Sequence, residues 1–452
     1  MGKRPLPTRL PRERAFLVGV ELASKQGYLT IEDSLAELTL LADTAGLSVV
    51  GRASQRLEHP DPKTFLRSGK VQEVKDLAGE VMADIILFDD ELSPRHQREL
   101  EKIFGEDTRI LDRSALILDI FAQHASTREG SLQVELAQYE YLLPRLTRAW
   151  THLARQAGGG AGRAGLVGGV GLRGPGETQL EVDRRVIRQR ISHIKGELEK
   201  VRKHRSQYRR RRRKAEMPTV ALVGYTNAGK STLLNHLTGS DVYVADQLFA
   251  TLDPTTRRVA LPGGHGVLMT DTVGFLQKLP ATLVAAFRAT LEEITEAELL
   301  LHVVDISHPN ACAQGQVVRQ TLEEIGVEDI PIVTALNKVD LLTDRKTVLD
   351  QLDDFERGVP ISALTGEGVT TLLSVIEEEM YERLLPIEVK LPYREGGLIS
   401  LFHEHGIVEE MQHTDSSVEM KGRIPLRLFA DFKPFSTEKF SDSDMEEENH
   451  TS

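Results

Sequence analysis

The sequence predicts an α/β multidomain protein. Short apolar runs alternate with helix-length segments over residues 13–127, which is typical of an N-terminal α/β domain. Two heptad seams separated by a glycine-rich connection follow, and they predict a long antiparallel helical hairpin. A Gly-x-x-x-x-Gly-Lys-Ser loop at residues 224–231 then lies between a strand and a helix, which predicts a P-loop domain with a parallel-type sheet flanked by helices. A small C-terminal α+β domain completes the predicted fold.

The order of these features gives the expected domain boundaries. We predict a disordered basic N-terminus at 1–12, an α/β domain at 13–127, a hairpin at 128–216 with its glycine-rich loop at 158–176, a nucleotide-binding domain at 217–386, a small α+β domain at 387–433 and a disordered acidic tail at 434–452. In the first domain, strands are expected at 15–20, 47–50 and 84–88, with helices at 32–45, 69–82 and 93–104. In the last domain, strands at 387–391 and 417–421 are expected to flank a helix at 398–405.

Composition bounds the class of protein. A chain of 452 residues is expected to hold about three domains. It is 40% hydrophobic but has no apolar run long enough to span a bilayer, so we expect no transmembrane segment. The first dozen residues are basic and proline-rich without an apolar stretch, so no secretory signal is expected. The single cysteine, Cys312, is typical of a reducing cytosol.

Charge is distributed unevenly along the predicted hairpin. The formal net charge is −12, yet residues 184–214 contain 15 Lys/Arg against two Glu. The many positive charges on this helix repel one another, and a bound polyanion relieves that repulsion. We therefore predict contact with RNA. The expected RNA-contacting residues are Arg163 and Arg173 in the glycine-rich connection and Arg209, Arg210, Arg211, Arg212 and Arg213 in the second helix.

Apolar spacing supports the pairing of the two hairpin helices. The first helix is expected to be about 28 residues and about 40 Å long. Residues spaced alternately by three and four positions form its seam and that of its partner. They are Leu132, Leu136, Tyr139, Leu143, Leu146, Trp150 and Leu153 in the first helix, and Ile187, Ile191, Ile194, Leu198 and Val201 in the second.

The glycine-rich loop at 224–231 is expected to hold phosphates. Its backbone N–H groups and the following helix N-terminus point at a bound anion. Lys230 is expected to bridge the β- and γ-phosphates, and the Ser231 hydroxyl to ligate Mg²⁺. Asn227 suggests that a K⁺ ion also helps to hold the phosphates.

An Asn-Lys-x-Asp motif at 337–340 predicts the base. It follows the apolar run 330–336, and the Asp340 carboxylate can accept hydrogen bonds from two N–H groups of guanine, where adenine offers a different pattern. Asn337 is expected to brace the phosphate loop, and the Lys338 stem to cover the ring. Ser362 and Ala363 follow a further short strand and are expected to add a backbone N–H. The motif therefore favours GTP over ATP.

Three residues are expected to act in hydrolysis and switching. Asp271 ends a strand and is expected to hold Mg²⁺ through water, while the Gly274 N–H contacts the γ-phosphate. Thr251 is expected to ligate Mg²⁺ only with GTP bound, which makes its loop a switch; Thr255 or Thr256 could take this role instead. Phe275 stands where many regulatory GTPases place a water-orienting glutamine, so slow intrinsic hydrolysis is expected.

The complete predicted site is therefore as follows. Lys230, Thr251 and Gly274 are the candidate catalytic residues, and Ser231, Thr251 and Asp271 are the candidate Mg²⁺ ligands. The candidate GTP-binding residues are Gly224, Tyr225, Thr226, Asn227, Ala228, Gly229, Lys230, Ser231, Thr232, Phe249, Ala250, Thr251, Leu252, Asp253, Asp271, Thr272, Val273, Gly274, Asn337, Lys338, Val339, Asp340, Ser362, Ala363 and Leu364.

Taken together, these residues resemble the HflX family of ribosome-associated GTPases, over residues 13–432. The most specific marks are residues 173–185 (Arg-Gly-Pro-Gly-Glu-Thr-Gln-Leu-Glu followed by Asp-Arg-Arg), the loop at 224–231 and Phe-Ala-Thr-Leu-Asp at 249–253. The resemblance implies a GTP hydrolase that binds GTP, GDP and the large ribosomal subunit and separates the subunits of stalled or stressed ribosomes. It implies a cytoplasmic, ribosome-associated protein, with peripheral membrane association left open, and we expect a monomer. Some members are associated with ATP, for which this sequence shows no motif.

Other functions remain alternatives at this point. A GTPase of ribosomal subunit assembly or rRNA maturation is the nearest. A tRNA-modifying GTPase is expected to carry a C-terminal cysteine, whereas Cys312 lies inside the nucleotide domain. A passive RNA-binding protein with a vestigial site is disfavoured by the intact Lys230, Ser231, Asp271 and Gly274.

Overall fold

A computed structural model provides the structure of the protein. It describes residues 12–23, 28–146, 179–213, 217–239, 249, 253–278, 293–327, 330–342, 355, 357–380, 384–414, 416–425 and 428–437. The chain divides into two compact units, residues 1–260 with 266–369 and residues 261–265 with 370–452. In the described part of the chain, no helix is long and apolar enough to cross a membrane.

The first unit begins with a four-stranded parallel sheet in the order β2-β1-β3-β4. Its strands are β1 (Arg14–Leu22), β2 (Ser48–Leu57), β3 (Ile85–Phe88) and β4 (Arg109–Asp112). All four residues of β3 are buried, as expected for a parallel strand covered on both faces. The three predicted strands are confirmed. β4 was not predicted, because only two of its four residues are apolar and a charged residue stands at each end.

Four helices connect and follow these strands. They are α1 (Ile31–Thr44), α2 (Ser68–Glu80), α3 (Pro94–Phe104) and α4 (Arg113–His124). The first three confirm the predicted helices. Local chemistry fixes their starts: Thr30 and Asp33 form a reciprocal capping box at α1, and Ser93 caps α3 directly before Pro94. The fourth, α4, was missed by the sequence analysis.

Two further helices follow and correspond to part of the predicted hairpin. They are α5 (Arg128–Leu142) and α6 (Gln179–Arg213). They run antiparallel, because Arg128 pairs with Glu197 at 2.7 Å while Arg190 pairs with Glu135 at 2.7 Å. The first helix is shorter than predicted: it ends at Leu142 and a 3-10 turn containing a proline follows at Leu143–Arg145. Residues 147–178, with Trp150, Leu153 and the glycine-rich loop, lie outside the described residues, so the complete hairpin stays a prediction.

The nucleotide-site region of the first unit is built on a six-stranded sheet in the order β10-β9-β8-β5-β7-β6. All neighbours are parallel except β6 and β7. The strands are β5 (Thr219–Val223), β6 (Thr255–Ala260), β7 (Gly266–Asp271), β8 (Leu299–Asp305), β9 (Ile332–Asn337) and β10 (Gly358–Pro360). The helices α7 (Lys230–Thr238) and α8 (Ala311–Glu324) belong to this region. The carboxyl ends of β5, β7, β8 and β9 therefore meet at one edge of the sheet.

The second unit contains an antiparallel sheet in the order β11-β13-β12. Its strands are β11 (Leu384–Pro392), β12 (Ile407–His413) and β13 (Ser417–Pro425), and its helices are α9 (Val369–Met380), α10 (Gly396–His405) and α11 (Phe429–Phe432). Val389, Phe402, Met420 and Phe432 are among the residues of its core. The predicted strands and helix are confirmed, and β12 is an additional strand.

A buried arginine connects the N-terminal sheet to the nucleotide-site region within the first unit. The Arg113 guanidinium, at the start of α4, donates to Asp89 at 2.8 Å and to Glu37 of α1. Asp89 also binds the Lys278 ammonium at 2.5 Å, and Glu37 accepts a hydrogen bond from the Tyr225 hydroxyl. Because Tyr225 and Lys278 follow β5 and β7, two carboxylates of the N-terminal domain hold segments of the nucleotide site.

Electrostatics keep this network ionised. Burial alone would raise the pKa of Asp89, but the Arg113 and Lys278 cations hold it below its usual value. Burial alone would lower the pKa of Arg113, and the Glu37 and Asp89 carboxylates outweigh it, so the arginine stays charged. Burial and the nearby Glu37 raise the pKa of Tyr225, which therefore remains a hydrogen-bond donor.

We predict that Arg113→Leu lowers the free energy of unfolding by about 3–5 kcal/mol, because the Glu37 carboxylate loses its cation and the buried Asp89 carboxylate keeps only Lys278. Urea unfolding followed by circular dichroism measures the change. Arg109→Leu is the control: Arg109 pairs with Glu13, and their side chains are 38% and 52% exposed. Such a pair contributes about 0–1 kcal/mol. Equal losses in the two variants would contradict the role assigned to Arg113.

Candidate nucleotide-binding site

The phosphate loop connects β5 to α7 and can be built only with glycine at two positions. Gly224 has φ 152° and Gly229 has φ 98°. A Cβ atom at Gly224 would lie 2.3 Å from the Val303 carbonyl oxygen, and one at Gly229 would lie 2.2 Å from Asn337 Nδ2. The backbone therefore wraps closely at both ends of the loop, in the strand–loop–helix context that the motif requires.

Lys230 and Ser231 begin α7 and direct their polar atoms to the loop and to β7. Lys230 Nζ donates to the carbonyl oxygens of Gly224 at 3.0 Å and Tyr225 at 2.8 Å. Burial lowers the pKa of Lys230 to about 8, while Asp271 opposes the shift. Ser231 Oγ donates to Asp271 Oδ2 at 2.6 Å. The hydroxyl and the carboxylate predicted as Mg²⁺ ligands are thus brought together.

Asn337, the last residue of β9, joins the phosphate loop to the loop after β10. Its Nδ2 donates to the Ala228 carbonyl oxygen at 2.8 Å, and its Oδ1 accepts from the Ala363 N–H at 2.9 Å. Ser362 is buried, and its Oγ accepts from the Thr365 N–H at 3.1 Å. Three motifs far apart in the sequence therefore share one hydrogen-bonded edge.

Lys338 has a partner that the sequence analysis missed. Its backbone is left-handed, with φ 71°, and its Nζ lies 2.6 Å from Asp305 Oδ2. Asp305 ends β8, the strand beside β9. The sequence does contain a signal for this pair, because Asp305 is an acidic residue directly after an apolar run. The pair fixes the Lys338 stem while Asp340 lies one turn further on, in the 3-10 helix Val339–Leu341.

Gly274 and Phe275 pack directly against the phosphate loop. The Phe275 N–H donates to the Gly224 carbonyl oxygen at 3.1 Å, and its carbonyl oxygen accepts from the Thr226 N–H at 2.9 Å. A Cβ atom at Gly274 would lie 3.1 Å from Lys230 Nζ. The Phe275 ring is buried in the core of the first unit. The ring cannot orient water, in agreement with the chemistry expected from the sequence.

The segment after Phe275 is held by the N-terminal domain. The Gln277 N–H donates to the Tyr225 hydroxyl at 3.1 Å. Lys278 Nζ lies 2.5 Å from Asp89 and 2.9 Å from Asp90. Burial raises the pKa of Asp90, although Lys278 opposes the shift. Sequence reasoning had no means of finding these partners, which lie almost 190 positions from Lys278.

Thr251 itself lies outside the described residues, with Ala250 and Leu252. The residues on either side are placed: the Phe249 ring packs on Phe121, and the Asp253 carboxylate binds Ser126 and Thr127. Of the two alternatives to Thr251, Thr256 already shares a hydrogen bond with Thr270 Oγ1 at 2.9 Å, and Thr255 is exposed at the start of β6.

The predicted RNA contacts are only partly placed. Arg163 and Arg173 lie outside the described residues. Arg209–Arg213 end α6, and their side chains are not described. Cys312 is exposed at the start of α8, with no disulfide.

Three features lie at one edge of the sheet: a phosphate loop with glycine at both ends, an acidic residue at the end of the adjacent strand, and an Asn-Lys-x-Asp motif. They define the class of protein as a P-loop GTPase domain attached to an N-terminal α/β domain. Matches to known families agree. Residues 32–122 match the model "GTP-binding GTPase N-terminal", 124–212 "GTP-binding GTPase Middle Region", 219–338 "50S ribosome-binding GTPase" and 347–430 "HflX C-terminal domain".

Curated relatives extend over nearly the whole chain. GTPase HflX of Escherichia coli (strain K12) is 44% identical over 416 residues, covering 92% of this chain and 94% of the relative. GTPase HflX of Chlamydia pneumoniae is 42% identical over 431 residues, covering 95% and 90%. A GTP-binding protein from Sulfolobus solfataricus in complex with GDP is 24% identical, with a TM-score of 0.41, covering 81% of this chain and 98% of that chain. The chain belongs to the GTPase HflX family, and it is a GTP hydrolase, as the sequence predicted.

We predict that Asn337→Ala weakens the binding of GDP and of a non-hydrolysable GTP analogue to the same extent. The change leaves the Ala228 carbonyl and the Ala363 N–H without their partner, at a cost of about 1–3 kcal/mol, or about 5–150-fold in affinity. Titration with fluorescent nucleotides measures both dissociation constants.

Thr334→Val on the same strand is the matched control, because the buried Thr334 hydroxyl has no hydrogen-bond partner among the described residues. We expect its nucleotide affinity to equal that of the wild type. An Asn337→Ala variant with unchanged affinity would show that the brace is not part of the site.

Proposed function

We propose that GTP binding and hydrolysis in this protein control its attachment to the large ribosomal subunit, and that the GTP-bound protein separates the subunits of stalled or stressed ribosomes. One observation carries the proposal: the N-terminal domain that holds the nucleotide site also leads into α5, and α5 forms ion pairs with the basic helix α6. The match of residues 219–338 to a 50S ribosome-binding GTPase model supports the same partner.

The proposed Mg²⁺ site uses residues whose chemistry fits the ion. Mg²⁺ prefers hard oxygen ligands and bridges protein groups to phosphate oxygens. Ser231 Oγ and Asp271 Oδ2 lie 2.6 Å apart beside the phosphate loop, so both oxygens can face one ion, Asp271 through water. When bound, Mg²⁺ would neutralise charge on the phosphates. Thr251 is proposed as the ligand that joins only with GTP.

The protein groups act on the nucleotide by holding it. Loop N–H groups and Lys230 bind the β- and γ-phosphates, and Gly274 offers its N–H to the γ-phosphate. Asp340 accepts from the guanine N–H groups, Lys338 covers the ring and Ala363 offers an N–H to the guanine oxygen. Since Phe275 is buried and cannot orient water, the ribosome or a cation completes the site. We propose that Asn227 contributes to a K⁺ site for this purpose.

The composition of α6 gives it an excess of positive charge, and some of its basic residues pair with carboxylates. Arg190 pairs with Glu135 at 2.7 Å and Lys195 with Glu140 at 2.8 Å. These two pairs fasten α6 to α5, and residues 184–214 contain 15 Lys/Arg against two Glu. Such a surplus of charge favours a polyanion, and its contribution to binding falls with salt. We propose that the end of α6 and the loop at 158–176 contact ribosomal RNA.

Subunit assembly is the alternative function. An assembly GTPase would use the same nucleotide site and the same basic helix but would act on immature particles. The particle that stimulates hydrolysis distinguishes the two functions.

We predict that mature large subunits or intact ribosomes raise the GTP hydrolysis rate strongly in potassium buffer, because they complete the site around Phe275. Phosphate release measures the rate. Lys230→Ala is expected to lose nucleotide binding and is the control for contaminating hydrolases. Stimulation by immature particles alone would favour assembly, and stimulation by no ribosomal particle would contradict the proposed function.

Repeating the assay in sodium chloride tests the role proposed for Asn227. Equal hydrolysis rates in the potassium and sodium buffers would rule out a K⁺ site at Asn227.

We predict that shortening the loop at 158–176 leaves nucleotide affinity unchanged and abolishes subunit separation, since the loop is remote in sequence from every nucleotide motif. Sedimentation of ribosomes in sucrose gradients measures separation, and fluorescent-nucleotide titration provides the control. Full separation activity in the shortened variant would refute the role proposed for this loop.

A further inference from the structure

The start of α5 is fastened to the nucleotide-site region by one carboxylate. Asp253 Oδ2 accepts from the N–H groups of Ser126 at 3.0 Å and Thr127 at 2.8 Å, and from Ser126 Oγ at 2.9 Å. Asp253 Oδ1 accepts from the Thr127 hydroxyl. Thr127 is also the N-cap of α5, whose side chain accepts from the Gly130 N–H at 3.0 Å. Asp253 therefore binds the helix N-terminus from a segment more than 120 positions away.

The charge of Asp253 suits this position. Burial alone would raise the pKa of the carboxyl, but the hydrogen bonds from Thr127 and Ser126 outweigh it and the pKa is lowered. An ionised carboxylate at a helix N-terminus also interacts favourably with the helix dipole. The fit is close, because a Cβ atom at Gly130 would lie 2.2 Å from Asp253 Oδ1. Helix α5 thus leaves room for the carboxylate only by having glycine in its first turn.

The same segment has a second anchor four residues earlier. The rings of Phe249 and Phe121 lie 4.5 Å apart between centroids and cross at 67°, and both side chains are buried. Phe249 has φ 60°, a conformation that a bulky residue adopts only when its surroundings hold it. Phe121 belongs to α4, which ends directly before α5. The two anchors thus lie on either side of the junction between α4 and α5.

We propose that Asp253 and Phe249 are positioning residues that tie the segment carrying Thr251 to the α4–α5 junction, so that the nucleotide state at Thr251 is transmitted to the first helix of the hairpin. Only three residues, 250–252, separate the anchors. Any ordering of Thr251 by GTP is therefore shared with Asp253 and with the helix it caps. The inference rests on the proposed function for the role of Thr251, and it assigns the route from the nucleotide to the basic helix.

Hydrogen exchange in the isolated full-length protein tests this route without ribosomes. In the wild type, amides of residues 126–131 should exchange about fivefold or more slowly with a GTP analogue and Mg²⁺ than with GDP, because an ordered Thr251 segment holds Asp253 on the helix. Gly130→Ala should remove that difference, because the methyl group displaces the carboxylate. Alanine favours the helix itself, so loss of the difference does not result from a weaker helix.

Gly69→Ala is the matched control. Gly69 lies in the first turn of α2, and a Cβ atom there has no atom within 4 Å. This variant should keep the wild-type difference, and both glycine variants should keep wild-type nucleotide affinity. Asp253→Asn keeps the shape of the side chain but loses its charge, so it should also reduce the difference in exchange rate between the two nucleotide states. The nucleotide affinity of this variant is measured as well.

The outcomes separate this inference from the proposed function. A wild type without slower exchange in the GTP state, or a Gly130→Ala variant that keeps the full difference, overturns the inference. Large subunits that fail to stimulate hydrolysis while the exchange results hold would overturn the proposed function alone. If both stand, Gly130→Ala should also lose most of the stimulation by large subunits while its affinity for nucleotide is retained.

Discussion

The arrangement of the first unit depends on the buried guanidinium of Arg113. Removing an ion from water is costly, so a buried arginine is stable only with well-placed carboxylates around it. Asp89 and Glu37 meet that need, and each carboxylate also binds a group next to the phosphate loop or after Gly274. Three elements of the N-terminal domain and two segments of the nucleotide site are therefore fixed by one charge network, with apolar packing around it.

Because of this network, side chains of the N-terminal domain contact segments of the nucleotide site, and a separate P-loop domain would lack these contacts. The Tyr225 side chain extends from the phosphate loop to Glu37, and Lys278 extends to Asp89 and Asp90. Asp253, two positions after Thr251 in the sequence, binds the N-terminus of α5. Segments that respond to the γ-phosphate in GTPases thus contact the N-terminal domain at several points. The segment that ends at Asp253 therefore contacts α5, the helix that forms ion pairs with the basic helix α6.

The sequence predicted much of the fold where local patterns are strong. The apolar runs of β1 and β3 and the capped starts of α1 and α3 are specified by neighbouring residues, and the structure has them at nearly the predicted positions. Strand β4 has only two apolar residues between Arg109 and Asp112, which is too short an apolar run to indicate a strand. The heptad seam suggested a longer first hairpin helix than α5, because the pattern of apolar residues continues through a proline that the backbone does not accommodate in the helix.

By itself the sequence predicted the chemistry of the nucleotide site, because the roles expected of glycine at 224 and 229, Lys230, Asp271 and the motif at 337–340 depend on backbone geometry and side-chain type at fixed spacing. It also determined the family. Only the tertiary structure decided which groups surround that site. The partners of Arg113, Lys278 and Asp253 lie from 24 to about 190 positions away in the chain. Such pairings leave no periodic trace in a single sequence, because they arise from tertiary packing. For Arg113 the packing is within the N-terminal domain, and for Lys278 and Asp253 it joins distant segments of the first unit.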